Sequence, residues 1–199
     1  MLGILTALEI GPDLRAEVAE AGAVAAALLG SVRPETPEGA NPAKALARAA
    51  RGRVVVVYGG GSLEPVARRW KTQVNENSKA WAFFEVLPEL NHNAVVGYAH
   101  PPAARDGVLV VGLASPGESA ELDARLEITA ELLRREGYEP RLVAAQGASR
   151  LARMMHLTVL GDWFSYYLAF LNGVDPTPVP PIDFLKAELG RRRQGRPPA

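Results

Sequence analysis

Residues 54–62 read Val-Val-Val-Val-Tyr-Gly-Gly-Gly-Ser, and this stretch decides the fold class. Four β-branched residues followed by a tyrosine predict a strand. Because the apolar residues do not alternate with polar ones, both faces of this strand should be covered, as in a parallel sheet. The glycines that follow are typical of a tight turn from a strand into a helix.

Three further apolar runs repeat this pattern, at residues 81–86, 108–113 and 141–145. Helical stretches separate the runs, and the longest, residues 119–136, begins with a serine that can cap it. The sequence therefore predicts an α/β fold, a doubly wound parallel sheet of about four strands flanked by helices, with right-handed crossovers.

We expect three segments along the chain. Residues 1–50 form an N-terminal helical segment with a proline-containing connector. Residues 51–190 form the α/β domain with a short C-terminal helix at 182–189, and residues 191–199 form a basic flexible tail. The aromatic helix predicted over residues 149–171 is apolar nearly all round, so it should be buried in the core or at an interface.

Composition excludes several classes of function. The 22 basic and 22 acidic residues give a formal net charge of zero, so most of the chain has no electrostatic basis for binding nucleic acid or anionic lipid. The absence of cysteine excludes disulfides, thiolate metal sites and cysteine nucleophiles. No signal-peptide pattern opens the chain, so a cytoplasmic location is expected. The apolar residues 154–171 approach the length of a membrane span, but Asp162 at their middle favours a buried helix.

Gly59, Gly60, Gly61 and Ser62 follow the first strand, at the edge where doubly wound sheets bind ligands. In one interpretation their backbone approaches a sugar or a phosphate closely. In the other they form a tight turn that needs a positive φ, and the sequence leaves both open. Glu64 stands where the dinucleotide-binding fingerprint needs its last glycine, and no Walker lysine follows, so neither nucleotide motif is present.

Glu76 lies between two asparagines near the end of a helix that should begin around Pro65. Aldose–ketose isomerisation needs a base that removes a proton from one carbon and returns it to the next, and a carboxylate suits this task. The amide of Asn75 beside it can hydrogen-bond a sugar hydroxyl. The alternative for Glu76 is an exposed glutamate in a helix-ending turn.

His92 follows the second predicted strand, between Asn91 and Asn93. Its imidazole can donate and accept protons near neutral pH, which the opening of a sugar ring requires. The alternative is a structural histidine that satisfies local backbone groups. His100 and His156 have no converging ligands and no metal-ligand spacing is found, so we expect no metal and no cofactor.

The Asn-Glu-Asn motif at residues 75–77, the Leu-Asn-His-Asn motif at residues 90–93 and the glycine-rich turn together resemble the second half of the bifunctional phosphoglucose/phosphomannose isomerases. These enzymes are built from sugar isomerase (SIS) domains. The resemblance implies that Glu76 moves a proton between the first two sugar carbons through a cis-enediol. It also implies that His92 opens the ring and reaches the active site from the neighbouring subunit of a homodimer.

The resemblance extends over residues 50–189 and adds two site residues near its end. It assigns Thr177 to contact with the sugar and Lys186 to the ring oxygen, beside His92. Residues 2–8 resemble the inter-domain helix that follows an earlier SIS domain in the family. The phosphate-binding loop of that earlier domain has no counterpart in residues 1–52, so we expect the acid–base residues to be present and the phosphate site to be incomplete.

Two hypotheses follow. The first is a metal-independent isomerase that converts glucose 6-phosphate or mannose 6-phosphate to fructose 6-phosphate, with Glu76 as the base and His92 and Lys186 as the ring-opening pair. The second is a non-catalytic SIS module that binds a sugar phosphate or packs against a partner chain. Formation of fructose 6-phosphate by the chain separates them.

Overall fold

The computed structural model describes residues 2–8 and 11–194. Its centre is a four-stranded parallel sheet in the order β2-β1-β3-β4. The strands are β1 (Val54–Gly60), β2 (Ala82–Leu87), β3 (Val108–Ala114) and β4 (Arg141–Ala144). The predicted α/β class, strand number and parallel pairing are confirmed.

The helices are α1 (Leu2–Ala7), α2 (Arg15–Ser31), α3 (Pro42–Ala50), α4 (Glu64–Asn77), α5 (Ala104–Gly107), α6 (Ala120–Arg135), α7 (Arg150–Leu171) and α8 (Pro180–Gln194). As predicted, α6 begins at a serine cap, because the Ser119 hydroxyl oxygen accepts the backbone N–H of Leu122 at 3.3 Å. The C-terminal helix is longer than predicted. It continues through residues 191–194, which we expected in the flexible tail, and the rest of that tail lies outside the described residues.

The direction in which the chain crosses the sheet places the helices on its two faces. The step from β1 to β2 moves one way, whereas the steps from β2 to β3 and from β3 to β4 move the other way. Right-handed crossovers therefore put α4 on one face, and residues 88–107 and α6 on the opposite face. Helices α2, α3 and α7 join α4 in one shared core, so both sheet faces are covered, and the central strands β1 and β3 contain no charged residue.

Helix α7 lies in the core beside α4. The indole N–H of Trp70 on α4 donates to the backbone oxygen of Leu157 at 2.7 Å, and Gly161 leaves the space that this ring fills. The prediction that the aromatic helix is buried is confirmed for the face around Phe164, while Phe170 stays exposed. Within the two described ranges, no helix is long and apolar enough to cross a bilayer.

Candidate functional site

The first possible ligand position is the carboxyl edge of the sheet between β1 and β3, where the strand order reverses and doubly wound folds usually bind ligands. The glycines of the turn have a packing reason here. A Cβ on Gly60 would lie 2.9 Å from the Cβ of Leu87, and Gly61 has a φ of +56° with Leu122 directly above it. Neighbouring side chains therefore occupy the space that a ligand would need.

Glu118 completes the filling of this crevice. Its carboxylate accepts the backbone N–H of Ser62 at 3.1 Å and the Ser62 hydroxyl at 2.5 Å. Partial burial opposes ionisation of Glu118, but the Ser62 hydrogen bonds and the nearby Arg150 guanidinium outweigh it and lower the pKa of this carboxyl group. The remaining cavity has a volume of about 20 Å³, which is space for a single water molecule.

The second position is an open cleft at the opposite edge of the sheet. Helix α4 starts after the carboxyl end of β1 and runs back, so Glu76 near its end lies at the edge where β2 begins. The cleft has a volume of about 530 Å³. One wall carries Glu76, Lys79 and Trp81, and the other carries Pro181 and Ile182 from the first turn of α8. The Glu76 side chain is exposed to this space.

The residues flanking Glu76 hold the end of α4 in place. The Asn75 amide nitrogen donates to the backbone oxygen of Ala80 at 2.8 Å, and the Asn77 amide nitrogen donates to the hydroxyl of Ser165 on α7 at 2.9 Å. Ser78, fully buried, donates its hydroxyl to the Ser165 backbone oxygen at 2.7 Å. The two asparagines therefore account for a rigid helix end, which presents Glu76 outward.

Thr177 and Lys186 lie on the opposite wall of the cleft or next to it. Thr177 is exposed in the connector before α8, and its backbone N–H donates to the Asp175 carboxylate at 2.8 Å. Lys186 follows Ile182 by four residues, so it lies on the same face of α8 one turn further along. The structure thus brings Glu76 and Asn75 close to the segment that carries Thr177, with Lys186 beyond it.

His92 lies elsewhere in the same chain. It ends the one-turn 3₁₀ helix Glu89–His92, which follows the carboxyl end of β2, and its side chain is exposed. The neighbouring Asn91 fixes this turn to α6, because its amide nitrogen donates to the Thr129 hydroxyl at 2.8 Å. The six residues of β2 separate His92 from Glu76, a span of about 20 Å. One copy of the chain does not bring these two side chains together.

The cleft is also lined by residues that the sequence did not indicate as site residues, among them Lys79 and Trp81. Lys79 directly follows the motif that bears Glu76, and its position there was the available signal. Trp81 was assigned to the second strand, but β2 begins at Ala82 and the Trp81 side chain is 74% exposed. In the part of the chain that the structure describes, no group of three histidine, aspartate or glutamate side chains could hold a metal ion.

The family whose profile matches residues 39–189 is described as the bacterial phospho-glucose isomerase C-terminal SIS domain. The chain belongs to this family. The resemblance inferred from the motifs at residues 75–77 and 90–93 is therefore confirmed at the level of the family. The match begins within the segment that precedes α3 and ends inside α8.

Two relatives carry the name bifunctional phosphoglucose/phosphomannose isomerase. The protein of Caldicellulosiruptor bescii is 40% identical over 158 residues, which is 79% of this chain and 47% of the relative. That of Aquifex aeolicus is 38% identical over 146 residues, which is 73% of this chain and 45% of the relative. The chain therefore spans less than half the length of these two relatives.

A solved structure has the same fold. It is a glucose-6-phosphate isomerase-like protein from Thermus thermophilus, with a TM-score of 0.72 and 26% sequence identity. The superposition covers 87% of this chain and 57% of the other chain. This similarity agrees with the family assignment and with the doubly wound sheet described above.

Proposed function

We propose that this chain carries the acid–base residues of an aldose–ketose isomerase that acts on glucose 6-phosphate, mannose 6-phosphate or both, with fructose 6-phosphate as the product. The names of the relatives supply the reaction and the substrates. The observation that supports it most is the position of Glu76, an exposed carboxylate on a rigid helix end that lines an open cleft. The cleft is large enough for a small ligand, unlike the crevice at the other edge.

The proposed reaction is a proton transfer between neighbouring carbons. Glu76 removes the proton from C2 of the open-chain aldose, the C–H electron pair forms the C1=C2 bond, and the C1 carbonyl oxygen takes up a proton from water to give a cis-enediol. Glu76 then returns its proton to C1, while the hydroxyl on C2 releases its proton to water and becomes the ketone. No electron acceptor and no metal is required in this sequence of steps.

We propose that ring opening uses His92 from a second copy of the chain together with Lys186. The separation of Glu76 and His92 within one copy supports this arrangement, since a twofold dimer would give each cleft one histidine from its neighbour. His92 is exposed and therefore available to a neighbour. Lys186 follows the part of α8 that lines the cleft, so its ammonium group is in a position to assist at the ring oxygen.

We assign Thr177 and Asn75 to contacts with the sugar hydroxyls, because both belong to the segments that form the cleft. The turn at residues 59–62 can still be interpreted as a ligand-binding loop or as a tight structural turn. The Glu118 carboxylate bound to Ser62 favours the structural one. We further propose a cytoplasmic location, since a chain without cysteine is compatible with a reducing compartment.

Subunit mixing tests the shared site. Glu76→Gln and His92→Asn chains, each with a different affinity tag, are co-expressed, and the mixed dimer is purified and assayed for fructose 6-phosphate with and without the protein encoded just upstream. Each variant alone should be inactive. The purified mixed dimer should recover about half of wild-type activity, because one of its two sites is intact. Mixed dimers without recovered activity would contradict a shared histidine.

The second candidate is a non-catalytic SIS module that binds a sugar phosphate or a partner chain. The exposed apolar side chains of α8 favour it, since Phe184 is 66% and Leu185 is 57% exposed. This candidate predicts that fructose 6-phosphate binds without being converted. Calorimetry combined with the isomerase assay separates the two candidates.

A further inference from the structure

We infer that Lys79 is a positioning residue that fixes the α8 side of the cleft to the helix end bearing Glu76. The contacts of its ammonium group join the end of α4 to the connector before α8. The predicted effect on the reaction rate rests on the proposed function, whereas the structural role does not. The motifs in the sequence assign no role to Lys79. The role follows from the backbone conformation of Lys79 and from the two atoms that its ammonium group contacts.

The backbone of Lys79 is unusual. Its φ is +52°, and among the described residues it is the one non-glycine residue with a positive φ. This backbone region is sterically unfavourable for a lysine, because its Cβ crowds the backbone there. The surrounding hydrogen bonds hold the turn. Ser78 before it is buried against Ser165, and Asn75 binds the backbone of Ala80 after it.

The Lys79 side chain contacts both the end of α4 and the connector before α8. The Lys79 ammonium donates to the backbone oxygen of Glu76 at 2.5 Å and to the backbone oxygen of Pro176 at 3.1 Å. The first oxygen belongs to the residue proposed as the base. The second belongs to the residue directly before Thr177. One ammonium group therefore connects the proposed base to the connector that leads through Thr177 to the other wall.

Helix α8 has little else to hold it. Of the side-chain hydrogen bonds that involve residues 174–194 in the described structure, the Lys79–Pro176 contact is the one that reaches the rest of the protein. The apolar residues Phe184, Leu185 and Leu189 are all exposed. Loss of this contact should therefore free the connector and α8 and leave the core unchanged.

The test uses substitutions that distinguish the effect of the ammonium group from the effect of the backbone conformation. Lys79→Gly removes the ammonium group and accepts the positive φ without strain, so the fold should be as stable as before or more stable. Lys79→Arg keeps a cation that can reach both oxygens. Lys71→Met, on the preceding helix α4 and outside the cleft lining, serves as the control.

Hydrogen exchange of residues 174–186 is the first readout, followed by kcat and KM. In Lys79→Gly we expect exchange in this segment to be at least about tenfold faster than in the wild type, with no lower melting temperature. We expect kcat to fall by about tenfold or more, because a displacement of about 1 Å is costly in an oriented site, while KM changes less. Lys79→Arg should recover most of both properties, and Lys71→Met should match the wild type.

Unchanged exchange in Lys79→Gly would overturn the inference, whatever the activity. Faster exchange with an unchanged kcat would overturn the positioning role and leave only a structural contact. If the wild-type chain shows no isomerase activity with or without the protein encoded upstream, the proposed function fails, but the exchange comparison still decides whether Lys79 holds the connector.

Discussion

The two edges of the sheet differ in the space that they leave for a ligand. At the carboxyl edge the crevice between β1 and β3 is filled by Leu122 and by the carboxylate of Glu118, which takes both hydrogen-bond donors of Ser62. At the amino edge the end of α4 and the start of α8 leave a cleft of about 530 Å³ beside Glu76. The general rule for doubly wound sheets points to the first position, and the open space lies at the second.

This difference shows that a fold-level rule locates a site only where side chains leave room. The glycine turn has the composition of a ligand-binding loop, but its glycines are explained by contacts with Leu87 and Leu122. The asparagines around Glu76 have the composition of a sugar-binding set, but the amide nitrogens of Asn75 and Asn77 donate hydrogen bonds that hold the helix end. The carboxylate of Glu76 is exposed to the open cleft.

The largest effect is expected at the open cleft. Glu76→Gln removes the base but keeps the shape of the side chain, so kcat for isomerisation should fall by about 10²–10⁴-fold. Because the side chain is exposed, the free energy of unfolding should change by no more than about 0.5 kcal/mol. Steady-state kinetics and urea unfolding measure the two quantities. Glu64→Gln, an exposed glutamate at the other end of α4, is the control, and equal activity in the two variants would remove Glu76 from the mechanism.

A smaller effect, this time on stability, is expected at the filled crevice. Gly60→Ala places a Cβ 2.9 Å from the Cβ of Leu87 and 3.0 Å from its backbone oxygen, so the strand ends must move apart. The free energy of unfolding should fall by about 1–3 kcal/mol. Gly107→Ala is the matched control, because its Cβ would meet no atom within 4 Å. Equal stability of the two variants would show that the crevice is less tightly packed than the structure indicates.

The smallest effect concerns Glu118 and depends on pH. Since folding lowers the pKa of this carboxyl group, its ionised form stabilises the protein at pH values above the unfolded pKa, and this contribution is lost as the pH falls through the folded pKa. Glu118→Gln should lower the free energy of unfolding by about 1 kcal/mol at neutral pH, and the difference from the wild type should shrink below about pH 4. A difference that stays constant from pH 7 to pH 3 would exclude an ionised Glu118 as its cause.

The fold could be predicted because its signals are local. Four predominantly apolar runs define the strands, and Ser119 marks the start of α6. The end of α8 could not be predicted in the same way. The arginines at residues 191–193 look like a solvated tail, and their side chains are indeed exposed, but nothing in their sequence shows that the backbone stays helical.

The candidate site could be predicted only in part. Glu76 lies at the amino edge of the sheet because α4 runs back from the end of β1 to the start of β2. This position follows from the order of the elements. The contact of Lys79 with Pro176 joins residues that are 97 positions apart, so no local pattern could predict it. The distance of His92 from Glu76 could be inferred from strand direction, whereas the proposed contribution of His92 from a second copy depends on assembly, which no local pattern encodes.

The most direct test of the open cleft as the ligand site is a titration of the isotope-labelled chain with fructose 6-phosphate, followed by the backbone amide signals in NMR spectra. The signals of residues 75–81 and 177–186 should shift together with one dissociation constant, while those of residues 59–62 and 115–122 stay unchanged. Shifts confined to residues 59–62 and 115–122 would place the ligand at the carboxyl edge and contradict the account.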